Sequence, residues 1–199
     1  MKIGIFEAEE RDKHFFAKVL KKHKLKFIKE PLTSLNAAKY KDLEVVSTFI
    51  YSKIDTAVLR TLTKLKFVTT RSTGFDHIDV AECNHNKIKV CNVPFYGENT
   101  VAEHAFALML NLSRNVHKSY IKTIHDDFTI EGLMGFDLKG KTLGVIGTGH
   151  IGAHVMKIAD GFGMHVIASD VHKNDFLSEV LHFEYVELEY LLKHADIVT

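Results

Sequence analysis

Three glycines and an acid are the residues whose types and spacing could do chemistry in this 199-residue chain. Gly147, Gly149 and Gly152 stand as GxGxxG, directly after the apolar run 143–146 and ahead of a helical pattern; a second apolar run, 165–169, ends in Asp170. That order suits a dinucleotide. Gly147 permits a tight turn, Gly149 lets the backbone approach a pyrophosphate with no side chain in the way, and Gly152 lets helix and strand pack closely. Backbone N–H groups at the helix start, with the positive end of its dipole, would meet the phosphates. Asp170, eighteen residues beyond Gly152, is placed to accept hydrogen bonds from a ribose. Its carboxylate disfavours a 2′-phosphate, so NAD is expected over NADP, with Lys173 the one feature on the NADP side.

The elements that must position these residues follow from the hydrophobic pattern. Short β-branched runs alternate with helical stretches from Lys2 to Asn92: KIGIF, LKFIK, EVVSTF, KFVTTR and IKVCN are separated by helical patterns near 12–22, 36–40, 55–62 and 80–86. Five strands separated by helices predict a parallel sheet covered on both faces, with ligands beyond the carboxyl ends of its strands. Those ends fall at 7–9, 50–52, 72–75 and 93–96. Pro94 and Gly97 break the pattern, and Asn99 or Thr100 can cap a long helix over 101–117. Val101, Ala105, Leu108, Leu112 and Val116 recur there at helical spacing and predict one buried face, packed within the chain or against a second copy. A polar connector over 123–140 leads into the second βαβ pattern, and the chain ends within a predicted strand, 196–199. We therefore expect a fragment of a longer protein.

Composition bounds the function classes. A formal charge of +1 gives no bulk attraction to nucleic acid or anionic lipid. No apolar run reaches a membrane-spanning length and the charged start is no signal peptide, so a cytoplasmic protein is expected. Cys83 and Cys91 have no CxxC spacing and predict neither a disulfide framework nor a zinc site. His150 and His154 are four apart, but Ile151 stands where the zinc-binding helix motif needs a glutamate, so no metal is expected. GFDLKGKT, 135–142, matches a phosphate-loop pattern but follows a connector and opens a strand, which is the wrong context.

Four blocks, RSTGFDHID (71–79), VPFYGENTVAEHA (93–105), LKGKTLGVIGTGHIG (138–152) and ADIVT (195–199), resemble the D-isomer-specific 2-hydroxyacid dehydrogenases, most closely their D-lactate dehydrogenase branch. The resemblance implies an α/β fold with a flavodoxin-like parallel-sheet substrate domain, residues 1–98, followed by a partial Rossmann NAD-binding domain, residues 99–199, with a hinge helix over 99–118. It also implies hydride transfer between NAD and a small D-2-hydroxy acid, D-lactate and pyruvate being the favoured pair, in a cleft between the domains. Backbone N–H groups of Thr73 and Gly74 would hold the substrate carboxylate, the ring of Tyr96 would pack over the substrate, and Tyr51 would face it. On the cofactor side, the backbone of His150 and Ile151 would meet the pyrophosphate, Asp170 the adenosine ribose, and Thr100 the nicotinamide side. The arginine, glutamate and histidine that carry the family's chemistry match positions beyond Thr199, so no catalytic residue is assigned and no turnover is expected. His77 and His104 read as structural histidines. A homodimer built partly on the hinge helix is implied. The rival expectation is a non-catalytic NAD-binding sensor or assembly module with the same fold.

Overall fold

The computed structural model describes residues 1–199 and divides into two compact units, Met1–Tyr96 and Gly97–Thr199. No helix is long and apolar enough to cross a membrane.

The first unit is a five-stranded sheet of β1 (Lys2–Ile5), β2 (Lys24–Phe27), β3 (Val45–Thr48), β4 (Phe67–Thr70) and β5 (Lys89–Cys91), ordered β2-β1-β3-β4-β5. Every pairing is parallel. This is the flavodoxin-like order. Helices α1 (Glu10–Val19), α2 (Thr56–Thr61) and α3 (Val80–His85) and a 3₁₀ turn, Ala37–Tyr40, connect the strands. Burial follows position in the sheet: all four residues of central β3 are buried, whereas edge strands β2 and β5 alternate between exposed and half-buried. A strand covered on both faces tolerates only apolar or small hydroxylated residues, which is why VVST reads as a continuous run. Asp55 and Asp79 cap α2 and α3 by accepting from the N–H groups of Val58 and Glu82, at 3.1 and 2.9 Å.

The second unit opens with α4 (Glu98–Ser113) and α5 (Val116–Ile124), and then folds as β6 (Thr142–Ile146), α6 (His150–Gly161), β7 (His165–Ser169), α7 (Asp175–Leu181), β8 (Glu184–Tyr185), α8 (Leu188–His194) and β9 (Ile197–Val198). Its sheet is parallel throughout and ordered β8-β7-β6-β9. The order reverses between β6 and β9, the topological switch point at which such sheets bind ligands. Gly144, in the middle of β6, admits α8: a Cβ there would lie 2.5 Å from Leu191 Cδ2 and 2.9 Å from the Ala195 Cβ.

Two helix expectations need correction. The helix expected to run unbroken to His117 stops at Ser113, because Asn115 adopts a left-handed conformation (φ 52°) that short polar residues tolerate. The Ser113 carbonyl accepts instead from Phe136 N–H at 2.9 Å, and Asn115 Nδ2 donates to the Met134 carbonyl at 3.0 Å. Nor is the expected stripe of α4 the buried one. Ala102, Phe106 and Ser113 are buried, and Phe106 stacks on Phe162 with centroids 5.3 Å apart, whereas Val101, Leu108, Leu112 and Val116 are exposed. The helix carries two apolar stripes, and the one beside the predicted stripe packs on α6.

Candidate functional site

Each glycine of the turn between β6 and α6 answers a different need. Gly147 has φ +97°, a backbone conformation that L side chains rarely adopt. At Gly152 an added Cβ would run into the carbonyl oxygen of Gly147, so this position is closed by packing. Gly149 is neither: its φ of −66° suits any residue, and an added Cβ would meet nothing within 4 Å. Nothing inside the chain demands glycine there, and the open space lies at the N-cap of a 12-residue helix that no side chain caps. A backbone open to an anion at a helix start is what a pyrophosphate needs.

Asp170, at the end of β7, faces this turn. Its Oδ2 accepts from the Thr148 N–H (2.6 Å) and hydroxyl (2.9 Å), and its Oδ1 from the His172 N–H (2.9 Å). These bonds, the His172 N–H first and then the two from Thr148, hold the carboxyl down at about 2. It is therefore an anion throughout the neutral range. Oδ2 has both lone pairs engaged, and Oδ1 keeps one for a further donor. A cavity of about 540 Å³ lies against Gly147 and Asp170, with Lys173 and Glu187 also in its wall. Lys173 Nζ is 3.6 Å from Glu187 Oε1, so the basic residue on the NADP side has a carboxylate neighbour.

In the first unit the carboxyl ends of the strands are laced to one another. Glu7, after β1, has φ 53° and accepts from Phe49 N–H at 2.9 Å, Tyr51 N–H at 2.7 Å and the Ser52 hydroxyl at 2.5 Å. Burial pushes this carboxyl up, but the bonds from Ser52, Phe49 and Tyr51 outweigh it and hold it below its ordinary value. Arg71, after β4, donates to the carbonyls of Phe6 (2.8 Å) and Glu7 (3.1 Å) and to Ser47 Oγ (3.0 Å). Thr73 Oγ1 donates to the Val93 carbonyl at 3.0 Å, and Asn92 Nδ2 to the Thr73 carbonyl at 2.8 Å. The N–H groups of Thr73 and Gly74 make no hydrogen bond within the chain.

Of the expected site residues, Tyr51, Thr73, Gly74 and Tyr96 thus sit at the carboxyl-end rim of the first sheet or just past it, and the rings of Tyr51 and Tyr96 are both exposed. Gly147, Gly149, His150, Ile151, Gly152 and Asp170 gather at the glycine turn of the second unit. Thr100 is exposed in the first turn of α4. It does not cap that helix, and neither does Asn99, because the N-cap is Gly97. His104 is exposed rather than packed. His77 is half-buried with Nε2 3.5 Å from Thr48 Oγ1, and burial lowers its imidazole against the opposing pull of Glu7 and Asp76. Sequence reasoning missed Glu7, Arg71, Thr148 and Tyr185. Glu7 and Arg71 stood in plain view as charged residues at strand ends; nothing in the local pattern marked the other two.

Comparison with known proteins is consistent along the whole chain. The family model described as D-isomer specific 2-hydroxyacid dehydrogenase, catalytic domain, matches residues 3–197. A 2-hydroxyacid dehydrogenase homolog of Haemophilus influenzae is 36% identical over 203 residues, and the D-lactate dehydrogenase of Escherichia coli is 34% identical over the same length. The chain is covered completely in both, yet spans only 61% of the length of each relative. Among solved structures, D-lactate dehydrogenase from Aquifex aeolicus complexed with NAD and lactic acid superposes with a TM-score of 0.91 at 33% identity. That match covers 98% of this chain and 59% of the other.

The Asp170 geometry gives a pH signature. A carboxyl held at about 2, against an ordinary 3.8, contributes stability that is complete above about pH 4 and lost as pH falls toward 2. The stability gap between wild type and Asp170→Asn, measured by urea melts, is therefore expected to be constant from pH 7 to pH 5 and to close between about pH 4 and pH 2. A gap that persists at pH 2 would assign it to packing instead.

Proposed function

Because this chain belongs to the D-isomer specific 2-hydroxyacid dehydrogenase family, we propose that its second unit holds the adenosine and pyrophosphate part of NAD and its first unit one side of a small 2-hydroxy acid. The observation that carries this reading is Gly149: a glycine that the fold itself does not require, at an uncapped helix start, beside an ionised Asp170. In the whole protein the proposed reaction is interconversion of a small D-2-hydroxy acid, D-lactate being the favoured one, and its 2-oxo acid. NAD, when bound, supplies the hydride acceptor. What these residues do is bind and orient. The glycine turn takes the pyrophosphate, with the backbone of His150 and Ile151 at the first helical turn, and Thr100 contributes on the nicotinamide side. The unpaired N–H groups of Thr73 and Gly74 take the substrate carboxylate, and the exposed rings of Tyr51 and Tyr96 cover the substrate's apolar part.

Charge decides the nucleotide. An NADP 2′-phosphate would meet the Asp170 carboxylate at short range, and Lys173 already faces Glu187. Calorimetric titration is expected to show NAD binding at least roughly tenfold tighter than NADP, the scale of losing one charge-assisted hydrogen bond. Tighter NADP binding would remove Asp170 from its role.

The family resemblance matches its reacting arginine, glutamate and histidine to no position in these 199 residues, so binding and chemistry are separable in this chain. With saturating NAD and D-lactate the isolated chain is expected to form no NADH above background. Turnover at ordinary enzyme rates would mean that some other group in these two units moves the proton.

We further propose a homodimer through the exposed stripe of α4 and α5. Val101, Leu108 and Leu112 of α4 and Val116 at the start of α5 leave apolar side chains in water, and Leu112 is 65% exposed. Sedimentation should find a dimer that Leu112→Asp weakens by tenfold or more, through burial of an unpaired charge. A wild-type monomer at micromolar concentration would overturn this part.

A further inference from the structure

Tyr185 lies on β8, in register with Ala168 of β7, two residues before Asp170. Its ring packs edge-on against Phe183, with centroids 4.9 Å apart, and its hydroxyl reaches two groups from two other segments. Tyr185 Oη is 2.8 Å from Thr148 Oγ1 in the glycine turn, and Asn174 N–H donates to it at 3.1 Å from the loop after β7.

The direction of every bond in this set is forced. An ionised carboxylate only accepts, so Thr148 must spend its one hydroxyl proton on Asp170 Oδ2. Thr148 Oγ1 can then only accept from Tyr185, which spends its own proton there. The tyrosine oxygen in turn accepts from Asn174 N–H. The result is a single-file chain, Asn174 N–H to Tyr185 O–H to Thr148 O–H to the Asp170 carboxylate, with no alternative arrangement of protons. It ties the glycine turn, the end of β7, the loop after β7 and β8 to one point. It also keeps Oδ2 saturated and turned toward Thr148, leaving Oδ1 as the oxygen with acceptor capacity for a ligand.

We propose that Tyr185 is a positioning residue for recognition of the adenosine ribose: through Thr148 it orients the Asp170 carboxylate so that Oδ1 reads the 2′-hydroxyl. This rests on the reading of the second unit as a nucleotide site. Removing the Tyr185 hydroxyl frees Thr148 to turn its proton away and leaves Asp170 held by the Thr148 and His172 N–H groups alone, so its aim loosens while the ring and its packing on Phe183 stay.

The test is discrimination rather than affinity alone, because loosened structure would weaken both of two closely matched ligands. AMP and 2′-deoxy-AMP are titrated against the 199-residue chain by NMR. Wild type is expected to prefer AMP by roughly tenfold, as for one hydrogen bond to a charged acceptor. Tyr185→Phe and Thr148→Val, which break the chain at successive links, are each expected to bring that ratio below about threefold, and Thr148→Ser, which keeps the hydroxyl, to restore it. Circular dichroism establishes which variants are folded, and either of the first two suffices. A folded Tyr185→Phe or Thr148→Val that keeps the wild-type ratio overturns the proposal. If wild type binds both ligands equally, the nucleotide site stands and the ribose reading by Asp170 falls. If wild type binds neither AMP nor NAD, the nucleotide site itself falls and this inference with it.

Discussion

An ionised carboxylate at the end of a strand, accepting from the loop of the neighbouring strand, is the constraint on which both units depend. In the second unit Asp170, after β7, accepts from Thr148 in the turn after adjacent β6. In the first unit Glu7, after β1, accepts from Phe49, Tyr51 and Ser52 after adjacent β3. Parallel strands require long connections, so their carboxyl-end loops have no hairpin partner to hold them. A carboxylate supplies what the topology lacks. It offers about four lone-pair sites in one small group and can gather several N–H and O–H donors at once. The same bonds that order the loop keep the acid ionised, as the depressed values of both carboxyls record.

Such lacing has a second effect, which is to leave particular N–H groups over. Backbone donors buried without a partner are costly, but at a solvent-facing rim water satisfies them at little expense. Thr73 is tied down through its hydroxyl and its carbonyl, to Val93 and Asn92, and both bonds avoid its N–H. Gly149 starts α6 without a side chain to turn back on the helix end. In each place the loop is rigidified through groups other than the ones a ligand would need. A fixed donor that already lacks a protein partner loses little freedom on binding, which is the advantage of a site formed beforehand.

The strands and the glycine turn were legible because each rests on local chemistry. A run such as VVST between turn signals suits a strand covered on both faces, and GTGHIG between two apolar runs leaves few other uses. The stripe on α4 was not legible. Val101, Leu108, Leu112 and Val116 have helical spacing, but so do Ala102, Phe106, Met109 and Ser113, and only the packing of α6 chooses between the two rows. The carboxylate networks were hidden for another reason. Thr148 lies 22 residues from Asp170 and 37 from Tyr185, and Glu7 lies 42 or more from its partners. Periodicity carries no information at such distances, and a tyrosine in a short strand looks like one more apolar residue. Asp170 was placed correctly at a strand end, while the number of its lone pairs already in use could only come from the fold.

That count changes how the acid is to be understood. A carboxylate free on both oxygens could take both hydroxyls of a ribose, whereas Asp170, with three bonds from its own chain, has room for one good additional bond on Oδ1. The three internal bonds reduce its capacity and sharpen its aim, because each fixes the plane of the carboxylate relative to β7 and the glycine turn. They also keep the negative charge in place against a 2′-phosphate without requiring burial, which would have raised the carboxyl and weakened the repulsion. In the proposed nucleotide site, discrimination and orientation therefore come from the same bonds, and the acid expected to meet a ribose also ties down the glycine turn that first marks the sequence.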